Sequence, residues 1–221
     1  MPPVTRIVAI RHGETAWNVD TRIQGHLDIP LNDTGRWQAQ RAARALIDEG
    51  ISAIYSSDLL RALETAEAIG QAVSMPVVAD ARLRERAFGV FEAHTYAEIE
   101  ARWPAEARRW TQREPDFAPE GGETLRHVYE RCMSLVHALA DAHAGQTIAL
   151  VSHGGVMDCL YRAATQLDLR AKRSWPLGNA SINRLLHNGV GLTLIGWSDT
   201  RHLDDAAALD EWTDAAGASR A

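Results

Sequence analysis

The chain has 221 residues and a formal net charge of −6; 46% of its residues are hydrophobic and 24% charged. This length suits one domain with a small insertion, and this composition supports a sizeable core, which excludes a disordered or fibrous chain. The acidic balance argues against nucleic acid as a general partner, because phosphate-backbone binders are usually basic, yet it leaves room for a local basic pocket that takes a small anion.

No apolar run approaches the roughly 20 residues needed to span a bilayer. The opening "MPPVTRIVAI" has no charged n-region, long apolar h-region or cleavage site. A cytoplasmic chain without membrane contact is therefore expected. Cys132 and Cys159 fall in separate apolar helical patterns and read as buried free thiols of a reducing compartment. Nothing has metal-ligand spacing, so no metal is expected.

In chain order, "RIVAI" at 6–10 reads as a continuous, β-branched, buried strand. Residues 33–50 read as a helix, with Asp33 and Thr34 as capping candidates and Gly50 as the stop. "SAIYSS" at 52–57 is a second strand, followed by a helical face through Leu59, Ala62, Leu63, Ala66, Ile69 and Val73. "PVVADARL" at 76–83 reads as a third strand. Residues 86 to about 122 break the rhythm with three prolines and many charges, and read as a helical cap inserted over one end of the sheet. A return helix over 123–143 leads to a fourth strand, "TIALVSHGG" at 147–155, and a further helix through Val156, Leu160, Ala163 and Leu167. "ASINRLLHN" and "GLTLIGWS" read as a closing hairpin across Asn188-Gly189. The expected architecture is a doubly wound, three-layer α/β/α fold with a mostly parallel sheet and a helical cap. Residues 1–204 form one domain in this reading, and 205–221 a flexible tail.

Ligands of doubly wound sheets bind beyond the carboxyl ends of the strands. The first strand ends in Arg11, His12 and Gly13; the second in Ser56, Ser57 and Asp58, with Arg61 soon after. The third ends in Arg84 and Glu85, and the fourth in Ser152, His153, Gly154 and Gly155. Any one of these residues has an ordinary structural explanation, since a single histidine is usually a hydrogen-bonded packing residue and a single arginine usually solvated. The argument is convergence: two histidines, at least two arginines and a carboxylate reach one rim, beside glycines whose N–H groups open helices and favour anions. Arginine's planar fork matches phosphate oxygens, which points to Arg11 and Arg61 as phosphate ligands.

The segments "RHGETAWN", "IQGHLDIPLNDTGRWQA", "SSDLLRALETA", "LRERAFGVFEA", "PEGGETL" and "VSHGG" occur in this order. Together they resemble the histidine phosphatase superfamily, also called phosphoglycerate-mutase-like, from about Val4 to His202. The resemblance implies that His12 is the nucleophile and carries a phosphohistidine, and that Glu85 protonates the leaving oxygen and then activates water. It also makes Arg11, Arg61 and His153 part of the catalytic set. Asn18 is expected to add a neutral donor to the phosphate, with Gln24, Gly25 and Gly154 beside the substrate. No cofactor is implied, and the partner is a small phosphorylated metabolite. Glu92 competes with Glu85 for the acid role. Ala93 stands where the family pattern has glycine, and Ser198 where it has asparagine.

Three functions fit these residues. The first is a metal-independent phosphomonoester hydrolase. The second is a 2,3-bisphosphoglycerate-dependent phosphoglycerate mutase, an isomerase. Typical mutases carry Tyr-Gly and a nearby lysine after the catalytic glutamate; this chain has Phe88-Gly89 and no such lysine. They also carry an arginine pair in the cap, and Arg108-Arg109 matches that feature. The third is a non-catalytic phospho-ligand binding module, disfavoured because all five core positions are filled. The sequence leaves the substrate and the oligomeric state open, a homodimer included.

Overall fold

The computed structural model describes residues 3–204; the expected tail, 205–221, lies outside the described residues. The strands are β1 (Thr5–Arg11), β2 (Ile51–Ser56), β3 (Val77–Ala79), β4 (Thr147–Ser152), β5 (Ile182–His187) and β6 (Leu192–Asp199). They form one sheet in the order β3-β2-β4-β1-β5-β6. β1, β2, β3 and β4 run parallel, and β5 and β6 close the sheet as an antiparallel hairpin. The helices are α1 (Ala16–Val19), α2 (Asp33–Ala45), α3 (Leu60–Val73), α4 (Tyr96–Arg102), α5 (Pro104–Thr111), α6 (Leu125–Ala142) and α7 (Gly154–Thr165). This is the expected α/β architecture.

Both faces of the sheet are covered, which explains why β1 and β4 read as unbroken apolar runs. One core joins Ile7, Ala9, Ile148 and Leu150 to α6 and α7 through Val128, Val136, Met157 and Leu160. The other joins Val8, Ile10, Ala149 and Val151 to α2 and α3 through Ala39, Ala43, Ala66 and Ile69. Cys132 and Cys159 are buried free thiols. Burial pushes the Cys132 thiol up to about 12 and Cys159 well above its ordinary value, so both stay protonated.

Three of the differences from the sequence reading have a clear local cause. The helix read over 33–50 is α2, which ends at Ala45 and passes through a short 3-10 turn over Ile47–Glu49 to the left-handed Gly50. Its N-cap is Asn32, whose side chain accepts from the Gly35 N–H, rather than Asp33 or Thr34. The third strand is only three residues long: the Asp80 side chain caps a 3-10 turn over Ala81–Leu83. That turn swings the chain off the sheet edge and delivers Arg84 and Glu85.

Within residues 86–122, α4 and α5 enclose a separate small core. Phe91, Ile99, Ala107 and Phe117 are buried there against Trp103 and Trp110. Pro104 starts α5 at a position where its missing N–H costs nothing.

Candidate active site

The sheet order brings the strand ends together. β1 and β4 pair along their full length, with Arg11 opposite Ser152, so His12 and His153 leave the sheet side by side. The His12 N–H donates to Ser152 O at 2.9 Å, and the two imidazole centroids are 5.2 Å apart. β2 lies on the other side of β4, and the Ser57 N–H donates to Val151 O at 3.0 Å. The loop after β2 leads into α3, whose first turn carries Arg61.

His12 is buried, and its Nδ1 lies 2.6 Å from Gly13 O. A carbonyl only accepts, so Nδ1 carries the proton and the lone pair of a neutral ring sits on Nε2. Burial holds the His12 pKa well below its ordinary value, and the Arg61 and Arg11 charges depress it further. His153 is buried with neither ring nitrogen hydrogen-bonded among the described residues. Burial, Arg61 and His12 hold it neutral too.

Arg11 donates from Nη1 to Leu177 O, and its buried Nε has no partner among the described residues. Arg61 is anchored by Nη1 to Leu27 O at 3.0 Å and Nη2 to Gly25 O at 2.8 Å, leaving its buried Nε unpartnered among the described residues. Burial lowers both guanidinium pKa values, Arg61 to about 10, so both remain cationic at neutral pH. These fixed, under-bonded charges suit a dianion that brings its own acceptors.

Glu85 reaches across to the start of α7. Its carboxylate accepts from the Gly155 N–H at 3.1 and 3.0 Å and from the Arg86 N–H at 2.8 Å. Its own carbonyl accepts from Arg131 Nη2 at 2.9 Å and sits 2.8 Å from His26 Nε2. A Cβ on residue 155 would lie 2.1 Å from Glu85 Oε1, so glycine is required for this approach. Glu92 plays a different part, since its Oε1 accepts from the Phe88 N–H at 2.9 Å and the His26 N–H at 3.0 Å and so braces two loops.

A cleft of about 880 Å³ opens over these groups, and Arg11, His12, Asn18, Gln24, Gly25, Arg61, Glu85 and Gly154 all line it. His153 lies beneath its floor, beside His12. Arg84 turns away to Asp58, with Nε 2.7 Å from Oδ1. Glu123 and Arg131 pair outside the cleft, Nε to Oε1 at 2.9 Å. Arg108 and Arg109 also stay out of it. Arg109 pairs with Glu114 at 2.8 Å and covers the Phe117 ring, while the Arg108 Nε donates to Pro104 O at 3.2 Å.

Several lining groups escape the sequence reading. Arg113, Asp158, Lys172 and Arg173 line the cleft, as do Trp17 and Trp110. Arg113 and Asp158 are 45 positions apart in separate helical contexts, and only the fold unites them, Nη2 to Oδ2 at 2.6 Å.

Residues 7–200 match the sequence profile of the histidine phosphatase superfamily, branch 1. The chain belongs to this superfamily. It is 40% identical to phosphoglycerate mutase-like protein 4 of Arabidopsis thaliana over 207 residues, 92% of this chain and 89% of that one. It is 39% identical over 189 residues to a glucosyl-3-phosphoglycerate phosphatase of Mycolicibacterium vanbaalenii, covering 80% of this chain and 82% of the relative. Among solved structures, YhfR of Bacillus stearothermophilus superposes with a TM-score of 0.85 at 34% identity, covering 90% of this chain and 100% of the other. Among the described residues, no helix of this superfamily member is long and apolar enough to cross a membrane.

Proposed function

We propose that this histidine phosphatase superfamily member hydrolyses small phosphomonoesters through a phosphohistidine on His12. The observation that carries the reading is the His12 tautomer. With Nδ1–H held by Gly13 O, Nε2 presents a lone pair to the cleft floor between Arg11 and Arg61.

In this mechanism Nε2 attacks phosphorus in line as the ester P–O bond breaks. Arg11, Arg61 and Asn18 stabilise the equatorial oxygens, where charge spreads in a loose transition state, and the neutral His153 ring, buried beside His12 with both nitrogens unpartnered among the described residues, adds an N–H from below. Glu85 gives its proton to the leaving oxygen. The alcohol departs, and the Glu85 carboxylate takes a proton from water as that water attacks phosphorus. The N–P bond breaks, His12 returns neutral, and inorganic phosphate leaves. The Arg11 and Arg61 guanidinium groups supply the positive charge, so the scheme needs no metal. Gln24, Gly25 and Gly154 border the ester.

The placement of Arg108 and Arg109 favours hydrolysis over the mutase reading. In the mutase pattern the cap arginine pair grips the substrate carboxylate, but here the pair is spent on Glu114, Phe117 and Pro104 outside the cleft. The names of the relatives divide between phosphatase and mutase-like and leave the choice to assay. We expect inorganic phosphate release, with chelator present, from a panel of phosphomonoesters, and negligible conversion of 3-phosphoglycerate to 2-phosphoglycerate when primed with the bisphosphate. His12→Ala abolishes both turnover and acid-labile phosphoenzyme. Glu85→Gln slows alkyl phosphates far more than p-nitrophenyl phosphate, whose leaving group needs no proton. Fast isomerisation with little free phosphate would overturn the hydrolase reading.

A further inference from the structure

We infer that Asn179, which stands outside the cleft lining, is the positioning residue that sets both the His12 nucleophile and the Asn18 amide. The inference rests on the phosphatase reading and extends it to a residue that no motif marks. Asn179 lies in a strap, residues 177–181, that wraps the end of β1. Leu177 O receives the Arg11 guanidinium, the Ala180 N–H donates to His12 O at 3.1 Å, and Ser181 O accepts the Arg11 N–H at 3.3 Å. Ala180 is buried and left-handed, at φ 53. That conformation costs a non-glycine residue about 1–2 kcal/mol and persists only where surrounding bonds fix it.

The Asn179 Nδ2 reaches three oxygens: His12 O at 3.1 Å, Gly13 O at 3.3 Å and Asn18 Oδ1 at 3.3 Å. All three only accept, so the amide orientation is fixed by chemistry. Two consequences follow. Gly13 O is the acceptor that holds the His12 Nδ1 proton, so Asn179 fixes the carbonyl on which the tautomer depends. Asn18 Oδ1 already accepts the Thr15 N–H and O–H, each at 3.0 Å. The third donor locks the Asn18 amide with its oxygen inward and leaves its Nδ2 without a partner among the described residues, in a residue that lines the cleft. A donor rather than an acceptor is what a phosphate requires there. Asn179 thus acts through two other residues, on the reactive ring and on one phosphate donor.

The experiment compares wild type with Asn179→Ala and the isosteric Asn179→Asp, using p-nitrophenyl phosphate, orthovanadate and inorganic phosphate. Vanadate becomes five-coordinate only on a correctly aligned imidazole, whereas phosphate is held chiefly by the Arg11 and Arg61 cations, with the neutral Asn18 amide a lesser donor. We expect kcat to fall by about 100-fold in both variants, as for small misalignments of reacting groups. Orthovanadate affinity should fall in step, while phosphate affinity stays within about 3-fold. Asn179→Asp should also move the acid limb of kcat to higher pH, because a carboxylate near the ring favours the inactive imidazolium. Parallel loss of vanadate and phosphate would mean general damage and would overturn the inference, as would unchanged kcat in a folded variant. The His12 Nδ1 proton, followed by NMR, is independent of turnover: it should persist in the wild type and exchange with water in Asn179→Asp. If the wild type neither turns over nor binds vanadate, the phosphatase reading falls, and the NMR signal still judges Asn179. Persistence of that proton in both variants would sink the positioning role.

Discussion

His12 and His153 show how one site can tax the fold that holds it. Both imidazoles are buried among guanidinium groups, and their pKa values lie well below 6.5. Above about pH 6.5 both are neutral whether the chain is folded or unfolded, and they cost nothing. Below it the unfolded chain gains protons that the native state refuses, so stability falls as pH drops toward the folded values. The slope approaches about 1.4 kcal/mol per pH unit for each such histidine. Carboxylates held down by arginine, such as Asp58 beside Arg84, lose their contribution only in a lower window, near and below pH 4. The thermal midpoint should therefore decline between pH 6.5 and 5, and His153→Asn should flatten that decline. A midpoint independent of pH there would show that the rings are charged in the native state. In the proposed mechanism the same shift keeps His12 neutral, as its nucleophilic role requires, in mildly acidic buffer.

Ala93 is a second residue whose context decides its meaning. The family pattern has glycine here, and the backbone keeps the left-handed conformation that glycine would favour, at φ 68. The turn is held from both sides: the Ala93 N–H donates to Ile23 O at 2.8 Å, and Ala93 O accepts from Arg22 Nη1 at 2.8 Å. Ala93→Gly should stabilise the protein by about 0.5–1 kcal/mol, relief of left-handed strain outweighing glycine's extra unfolded-state entropy. Urea denaturation measures it, and a loss of stability would mean that the Ala93 methyl packs better than it strains. Ser198, at φ 54, occupies the other position where the pattern differs, and asparagine tolerates that conformation better than serine does.

At the scale of elements, what is legible in the sequence divides along a physical line. The strand-end residues can be found because a parallel sheet sends consecutive carboxyl ends to one edge, whatever the pairing order. His12, Arg61, Glu85 and His153 need only that rule and their motifs. Asn179, Arg113 and Asp158 cannot be found that way, because their roles depend on which loop crosses which strand end. The three-residue β3 reads too long for a similar reason: "PVVADARL" has strand composition, but the Asp80 side-chain cap wins over continued pairing. Arg84 and Arg109 look available in the sequence but are paired in the fold with Asp58 and Glu114, and Arg108 donates to the Pro104 carbonyl.

The cap is tied to the body by one such invisible contact. Arg113 follows α5 and reaches buried Asp158 on α7, which also accepts from Arg162 Nε at 2.9 Å. Desolvation makes this cluster poor as net stabilisation but severe to break, since removing the carboxylate leaves two guanidinium groups facing each other. Asp158→Ala should cost about 3–5 kcal/mol in denaturant unfolding. Arg113→Leu should cost less, because the Asp158–Arg162 pair survives. KM should rise in both variants, since the cap forms one wall of the cleft. Equal costs would show that Arg113, not Arg162, carries the compensation of Asp158.

At the scale of the whole molecule, charge is distributed against its sum. The chain carries a net −6, yet seven cationic side chains and two carboxylates line the cleft. Such a molecule repels anions at long range and concentrates them at one opening, where low-dielectric walls focus the field. Lys172 and Arg173 are exposed at that opening and form no ion pair among the described residues. The Arg173 charge is felt at Arg11, on the floor. The double substitution Lys172→Glu with Arg173→Glu leaves Arg11 and Arg61 on the floor untouched and inverts the field at the entrance. It should lower kcat/KM for a dianionic ester several-fold at low ionic strength, with kcat nearly unchanged. The deficit should shrink as salt is raised from about 0.01 to 1 M, because the screening length falls from about 30 to 3 Å. A deficit that persists undiminished at high salt would mean these residues touch the bound ester directly. No deficit at any salt would mean that Arg11 and Arg61 alone draw the anion in.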